Sequence, residues 1–335
     1  MRWIAFALVA LTFFATAPTA PVQAQTAQPQ AQGAPQAGAP LARTSATEAA
    51  IWGEVRKGMQ GYVSIPDKKA GVLVQSEGEN WRNLRNGPVS TYGAWLLLGM
   101  AIVIAVFFAV RGRIRIEHGP AGRTIQRFNT VERFAHWLTA VSFIVLALTG
   151  LNMLYGRYLL LPLIGKSGFS AITLWGKLAH NYIAAAFVLG VLMMLVLWLR
   201  HNLPNGDDLK WLAKGGGLFT KGVHPPSRKF NAGQKLIFWS VVLGGALLAV
   251  TGFYLLMPFD FGMDIHDMQK FVVWHGVTAL ILIAVIVGHI YIGTIGMEGA
   301  FDAMSTGQVD ENWAREHHNL WAAEVKGAAR GHGDD

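Results

Sequence analysis

From Phe271 to Ile295 the chain reads FVVWHGVTALILIAVIVGHIYIGTI, with no Asp, Glu, Lys or Arg. A run of this length crosses the roughly 30 Å hydrocarbon core of a bilayer. Lipid offers the backbone no hydrogen-bonding partner, so the run must be a helix. Two histidines interrupt it, His275 and His289, separated by 289 − 275 = 14 positions. On an α-helix that is about 21 Å along the axis, and fourteen steps of about 100° return to within about 40° of the starting direction. One helix therefore turns two imidazoles toward the same interior at two depths.

Four more apolar runs precede it, at Tyr92–Val110, Phe134–Met153, Thr173–Leu199 and Leu236–Met257, each near the roughly 20 residues that a span requires. Five such runs cannot be the buried helices of a soluble protein of this size. Composition agrees: 52% of the 335 residues are hydrophobic and 14% charged, against about a quarter charged in soluble domains. The expected fold is an all-α integral membrane protein, a five-span helical bundle. There is no cysteine, which excludes disulfides, thiolate zinc, cysteine-ligated iron–sulfur clusters and c-type haem attachment on this chain. Any redox centre must rely on His, Met, carboxylates or backbone. The net charge of +8 would suit nucleic acid, but the basic residues fall mainly between apolar runs. They are a topology signal, and no nucleic-acid partner is expected.

The N-terminus has the layout of a secretory signal over 1–24: Arg2, an apolar stretch from Ile4 to Ala15, and the small-residue site Val22-Gln23-Ala24. Cleavage suits this short run better than an uncleaved anchor. Residues 25–50 are rich in Gln, Ala, Pro and Gly and are expected to be disordered. Residues 51–90 look like a small extended docking segment, so that 25–91 is a periplasmic segment ahead of an additional span over 92–110. Six basic residues (Arg111, Arg113, Arg115, Arg123, Arg127, Arg133) follow the first span and seven (Arg200, Lys210, Lys214, Lys221, Arg228, Lys229, Lys235) the third. The alternate loops carry Arg157, Lys166 and Lys270. The two basic loops are expected in the cytoplasm, with the mature N-terminus periplasmic and the C-terminal tail, 296–335, cytoplasmic. Its part from Glu311 to Asp335 is expected to be a cytoplasmic surface.

A weak internal repeat runs through the second and fourth spans. Asn129, Arg133, Trp137, Thr149 and Gly150 recur as Asn231, Lys235, Trp239, Thr251 and Gly252, each 102 residues on (231 − 129), whereas His136 is matched by Phe238. Of 11 histidines, seven (His118, His201, His224, His266, His317, His318, His332) fall in loops or tails, where they are solvated or interfacial. Four fall inside spans: His136, His180, His275 and His289. Span direction places His136 and His289 at the cytoplasmic depth and His180 and His275 at the periplasmic depth, each pair drawn from two helices. Intramembrane ionisable residues are functional by default. A proton-relay transporter would want carboxylates or broken helices at the midplane, which these spans lack, and one zinc or copper could not bridge the two depths. Two b-type haems, each between two histidines, are the best fit. A haem-free permease is the contrasting class. Gly150, Gly190, Gly276 and Gly288 suit either a porphyrin close to backbone or ordinary helix packing.

With those histidines placed, residues 127–325 resemble the cytochrome b (gamma) subunit of respiratory formate dehydrogenases. The resemblance rests on Arg133-Phe134-Ala135-His136-Trp137, Arg200-His201-Asn202-Leu203-Pro204, Phe230-Asn231-Ala232-Gly233-Gln234-Lys235, the His275 to His289 spacing, and Trp313-Ala314-Arg315-Glu316-His317-His318. It implies a four-helix di-haem cytochrome b core over 127–295 in the bacterial inner membrane. It also implies His136, His180, His275 and His289 as axial ligands, and partners comprising an iron–sulfur (beta) subunit and a molybdenum or tungsten catalytic (alpha) subunit that oxidises formate. Electrons would pass through the haems to menaquinone or ubiquinone, at a site formed by Asn231, Gly233, Gln234 and His289. On the residues alone Asn231 is better read as a helix N-cap, and Lys235 and Arg133 as interfacial anchors rather than holders of a haem propionate. Di-haem cytochromes of hydrogenases and thiosulfate reductases share the architecture, so the donor is open. Shorter members of the family have four spans, and the span at 92–110 is an addition.

Overall fold

A computed structural model describes residues 76–331; the expected signal peptide, the segment up to residue 75 and His332 lie outside the described residues. Helix α1 (Ser76–Leu84) passes through a π-helical turn, Arg85–Val89, into α2 (Ser90–Arg111). Then come α3 (Thr130–Leu159), α4 (Leu161–Trp198), the short α5 (Gly206–Ala213), α6 (Ala232–Leu256) and α7 (Ile265–Tyr291). The chain closes with α8 (Asp302–Ser305), α9 (Glu311–His317) and α10 (Asn319–Gly331). Two short strands, β1 (Thr124–Gln126) and β2 (Gln308–Asp310), pair antiparallel across the end of the bundle, with Ile125 opposite Val309. Five helical stretches are long and apolar enough to cross a membrane: Asn80–Arg111, Thr130–Leu159, Leu161–His201, Ala232–Leu256 and Ile265–Gly296.

The bundle is built from two hairpins: α3 packs along α4 and α6 along α7, with α4 against α6 and α2 against α7. The repeat seen in the sequence has a structural counterpart in the first helix of each hairpin. The side chain of Asn129 accepts from the Glu132 N–H while Glu132 accepts from the Asn129 N–H; Asn231 and Gln234 repeat this box at the start of α6. Each box satisfies two of the orphan N–H groups that a helix start leaves. Trp137 and Trp239 both donate from the indole N–H to a backbone carbonyl, of Met304 and Asn202 respectively. Phe238, which stands where α3 has His136, is buried in the core.

The stretch over 51–90 was expected to be extended, yet from residue 76 onward it is helical. An apolar run marks only the part of a helix inside lipid, and backbone hydrogen bonding carries this helix two or more turns beyond it; Pro88 is tolerated in the π-helical turn, where the regular ladder is already interrupted. The tail from Glu311 was expected to be a surface, yet Trp313, Ala314, His318, Trp321 and Ala322 are buried. They fold back as a cap on the end of the bundle where α3 and α6 begin, and Leu320 N–H donates to the carbonyl of Ser227. Burial of two tryptophans outweighs the solvation of the charged residues between them.

At Gly190 of α4, a Cβ would lie 2.3 Å from Thr139 Oγ1, 3.0 Å from its backbone N and 3.1 Å from its Cα. The α3–α4 contact is therefore made on backbone, which settles Gly190 as a packing glycine. Gly190→Ala should destabilise the protein by about 1–3 kcal/mol and lower its melting temperature in detergent. Gly99→Ala in α2, where a Cβ would meet nothing within 4 Å, should leave the melting temperature unchanged or slightly raised. Equal behaviour of the two variants would contradict this packing.

Candidate functional site

The four intramembrane histidines stand in the pairs expected from depth. His136 of α3 faces His289 of α7 with ring centroids 6.3 Å apart, and His180 of α4 faces His275 of α7 at 6.2 Å. Each pair joins α7 to one helix of the other hairpin. Between the two depths lies an apolar layer in which Phe143 and Phe187 pack at 5.9 Å beside Leu282 and Ile283. Among the described residues no three His, Asp or Glu side chains converge as the ligands of a bare metal ion.

The ring nitrogens differ between the pairs. His180 Nδ1 lies 2.8 Å from Thr149 Oγ1 and His275 Nδ1 lies 2.9 Å from Thr251 Oγ1. His136 Nδ1 is buried with no hydrogen-bond partner among the described residues. A Cβ at Gly276 would meet nothing within 4 Å and one at Gly288 only Met100 Sδ, at 3.7 Å, so both flank open space beside α7.

The His136/His289 pair opens into a cavity of about 810 Å³ that Asn231, Gly233 and Gln234 also line. All four residues of the expected quinone site thus share one chamber. Asn231 is at the same time the N-cap that its sequence position suggests. Gln234 Oε1 accepts from the Asn231 N–H and, at 3.2 Å, from the Arg127 guanidinium. A Cβ on Gly233 would meet the Trp211 ring at 2.9 Å. Lys235 is committed elsewhere: its ammonium donates to Asp208 Oδ2 at 2.8 Å and to the Leu203 carbonyl at 3.0 Å. Arg133 donates to the Ser305 carbonyl.

Sequence reasoning missed the cap's contribution to this chamber. Arg127, Trp313, Glu316, His317 and His318 line it too. The Arg127 guanidinium is buried, stacks on Trp313 with 5.1 Å to the ring centroid, and meets His318 Nε2 at 2.9 Å. His318 Nδ1 donates to the Arg228 carbonyl at 2.7 Å, which leaves Nε2 to accept from Arg127. Burial, and then the charge of Arg127, hold His318 well below the usual histidine range. Burial likewise brings His317 down to about 4, against the opposing pull of Glu316. Burial disfavours the Glu316 charge, but hydrogen bonds from His118 and from the backbone N–H groups of Glu117 and His118 outweigh it and keep the carboxyl low. Glu117 is held low chiefly by the Gly222 N–H and pairs with His224 at 3.2 Å. The sequence signal was present in Trp313 and Trp321, two large apolar side chains in a charged tail eight residues apart (321 − 313).

A multi-span helical bundle with facing histidine pairs at two depths is the architecture of a membrane-embedded b-type cytochrome. The chain belongs to the prokaryotic cytochrome b561 family, whose model matches residues 127–307. It is 29% identical over 205 residues to the formate dehydrogenase cytochrome b556(fdo) subunit of Escherichia coli strain K12, covering 61% of this chain and 94% of that protein. It is 28% identical over 211 residues to the nitrate-inducible cytochrome b556(Fdn) subunit of the same organism, covering 62% and 94%. Against the formate dehydrogenase cytochrome b556 subunit of Haemophilus influenzae the identity is 26% over 205 residues, covering 60% and 83%. Helix α2 and the cap helices α9 and α10 lie outside the segment that the family model matches.

The buried cap histidines make its stability depend on pH. A histidine lowered in the folded state binds its proton more readily when unfolded, so its neutral form stabilises the fold fully above about pH 6.5. That contribution is lost as pH falls toward the folded value of His317, about 4. Limited proteolysis between Glu311 and Gly331 should therefore accelerate as pH is lowered from 7.5 to 5, while cleavage within the spans does not. Cleavage of the cap independent of pH would contradict this.

Proposed function

We propose that this chain is the di-haem cytochrome b subunit of a formate dehydrogenase complex, anchoring it in the bacterial inner membrane and carrying electrons to a quinone. The observation that carries the reading is the spacing of the histidine pairs. Two imidazoles that would hold one iron between them must face each other across a gap that admits the ion. The pairs here stand at 6.3 and 6.2 Å. Two ligands per site, rather than three or four, also suit a porphyrin that brings its own equatorial nitrogens. The open space beside Gly276 and Gly288 leaves room for a flat ring edge.

His180 and His275 would hold one haem and His136 and His289 the other; when bound, these groups supply one-electron iron couples at two depths. Phe143 and Phe187 would line the apolar space between them. Arg127 and the Asn231 N–H occupy the Gln234 amide oxygen, so the Gln234 NH₂ is the donor a quinone carbonyl would take. Gly233 would line the site with Trp211 packed against it, and His289 stands at the boundary between ligand pair and chamber. The basic loops favour a chamber toward the cytoplasm, and the mature N-terminus would be periplasmic and the C-terminus cytoplasmic. Menaquinone or ubiquinone would then take its protons from inside while electrons arrive from outside, which builds membrane potential without a pump. An iron–sulfur subunit would deliver the electrons from a molybdenum or tungsten subunit that oxidises formate.

Removal of one ligand tests the pairing. His180→Ala or His275→Ala should each lose one haem and retain the other, and His136→Ala should lose the complementary one, as read by pyridine haemochrome and redox difference spectra. Loss of both from every variant, or of neither, would contradict it. Gln234→Leu should keep both haems and slow quinone reduction at least tenfold; unchanged quinone reduction would remove Gln234 from the site. In the isolated complex formate should reduce the haems; reduction by hydrogen and not by formate would reassign the donor to a hydrogenase.

A further inference from the structure

Thr149 and Thr251 occupy equivalent places in the repeat (251 − 149 = 102) and make the same contacts. Thr149 Oγ1 donates to the carbonyl of Val145 at 2.8 Å, with Leu146 at 3.1 Å; Thr251 Oγ1 donates to Leu247 at 2.7 Å, with Leu248 at 3.2 Å. A hydroxyl has one proton and two lone pairs. With the proton given to the preceding turn, each Oγ1 meets its histidine as an acceptor. His180 Nδ1 and His275 Nδ1, at 2.8 and 2.9 Å from those hydroxyls and each also facing a backbone carbonyl, of Leu146 and Leu248 respectively, must then carry the N–H, which leaves the one acceptor lone pair of each ring on Nε2. The glycine after each threonine lies against the ring: a Cβ at Gly150 would have His180 Cε1 at 3.6 Å, an ordinary contact, and one at Gly252 would have His275 Cε1 at 3.3 Å, a tight one. The Thr-Gly pair is thus a histidine-holding unit that the chain contains twice.

The other pair has no such support on α3. His136 Nδ1 is buried without a partner among the described residues. The α6 position equivalent to His136 is Phe238, so the repeat breaks where the second pair is made.

We infer that Thr149 and Thr251 are positioning residues that fix the Nδ1–H tautomer of His180 and His275, and thereby hold the haem of that pair at a lower reduction potential than the haem of His136 and His289. The inference rests on the di-haem reading above. An N–H donated to an oxygen makes the opposite nitrogen a more basic ligand. A more basic axial ligand favours ferric over ferrous iron, which is the second-shell lever on potential. Electron transfer from the threonine-supported pair toward the chamber is then downhill within the chain itself, in the direction in which the membrane potential of a respiring cell opposes it.

The test is spectroelectrochemical titration of the detergent-purified complex, comparing wild type with Thr149→Val, Thr251→Val, Thr149→Ser and Thr251→Ser. Wild type should resolve into two b-type components. Each valine variant should retain both haems and raise only the lower component, by about tenfold in its one-electron equilibrium, about 59 mV. The serine variants, which keep the hydroxyl, should titrate as wild type. Equal shifts from the two threonines would follow from their equivalent contacts. Valine variants with two haems and unmoved potentials, or a shift in the upper component, would overturn the inference. If a valine variant sheds a haem, retention at wild-type potential in the serine variant still assigns the role to the hydroxyl, whereas loss in both assigns it to packing and overturns it. A wild-type complex without two haems would be a different failure, that of the di-haem reading.

Discussion

Four imidazoles inside an apolar bundle are the constraint on which the rest of the structure depends. Each has a donor and an acceptor nitrogen, and lipid-facing helices offer little to satisfy them, so their placement is costly unless something binds there. The fold meets that cost by facing them in pairs across α7 and its two partner helices. Helix α7 carries one member of each pair, so its rotation about its axis sets both sites together. A turn of α7 that improved one pair would spoil the other. This explains why the two hairpins and α2 all pack against α7 or its partners.

The duplication supplies the means. The first helix of each hairpin brings an asparagine cap, an anchoring tryptophan and a Thr-Gly pair. At the depth of His180 and His275 the two copies act alike, one threonine on each histidine. At the other depth they diverge, with His136 in one and a buried phenylalanine in the other. There the symmetry gives way to the chamber closed by the C-terminal cap. Its polar wall of Arg127, His317 and His318 contrasts with its apolar lining at Phe143 and Phe187.

Much of this was legible in the sequence because the bilayer imposes simple rules. Apolar length gave the five spans, and loop direction with histidine depth gave both pairs. Asn231 could be read as a cap from position alone. What was not legible depends on contacts distant in sequence. The hydroxyl of Thr149 meets a histidine 31 residues away, and threonine in a membrane helix is unremarkable until its partner is known. The cap lies in a charged tail whose average polarity hides Trp313 and Trp321, and Arg127 is buried only because that tail returns to cover it. The helical turns from Ser76 were missed for the opposite reason: a helix can outrun the apolar stretch that reveals it.

Helix α2 and the described turns before it lie outside the segment that the family model matches, yet α2 packs on α7, the helix that carries a histidine of each pair. Whether each pair holds an iron decides what the bundle does. The most direct measurement is haem stoichiometry in the wild-type protein: a dithionite-reduced minus oxidised spectrum of the detergent-purified chain, with pyridine haemochrome counted against protein by amino-acid analysis. The account predicts two b-type haems per chain with low-spin bis-histidine bands. A folded protein, expressed with ample haem, that carries none, or a single haem in high-spin form, would contradict it.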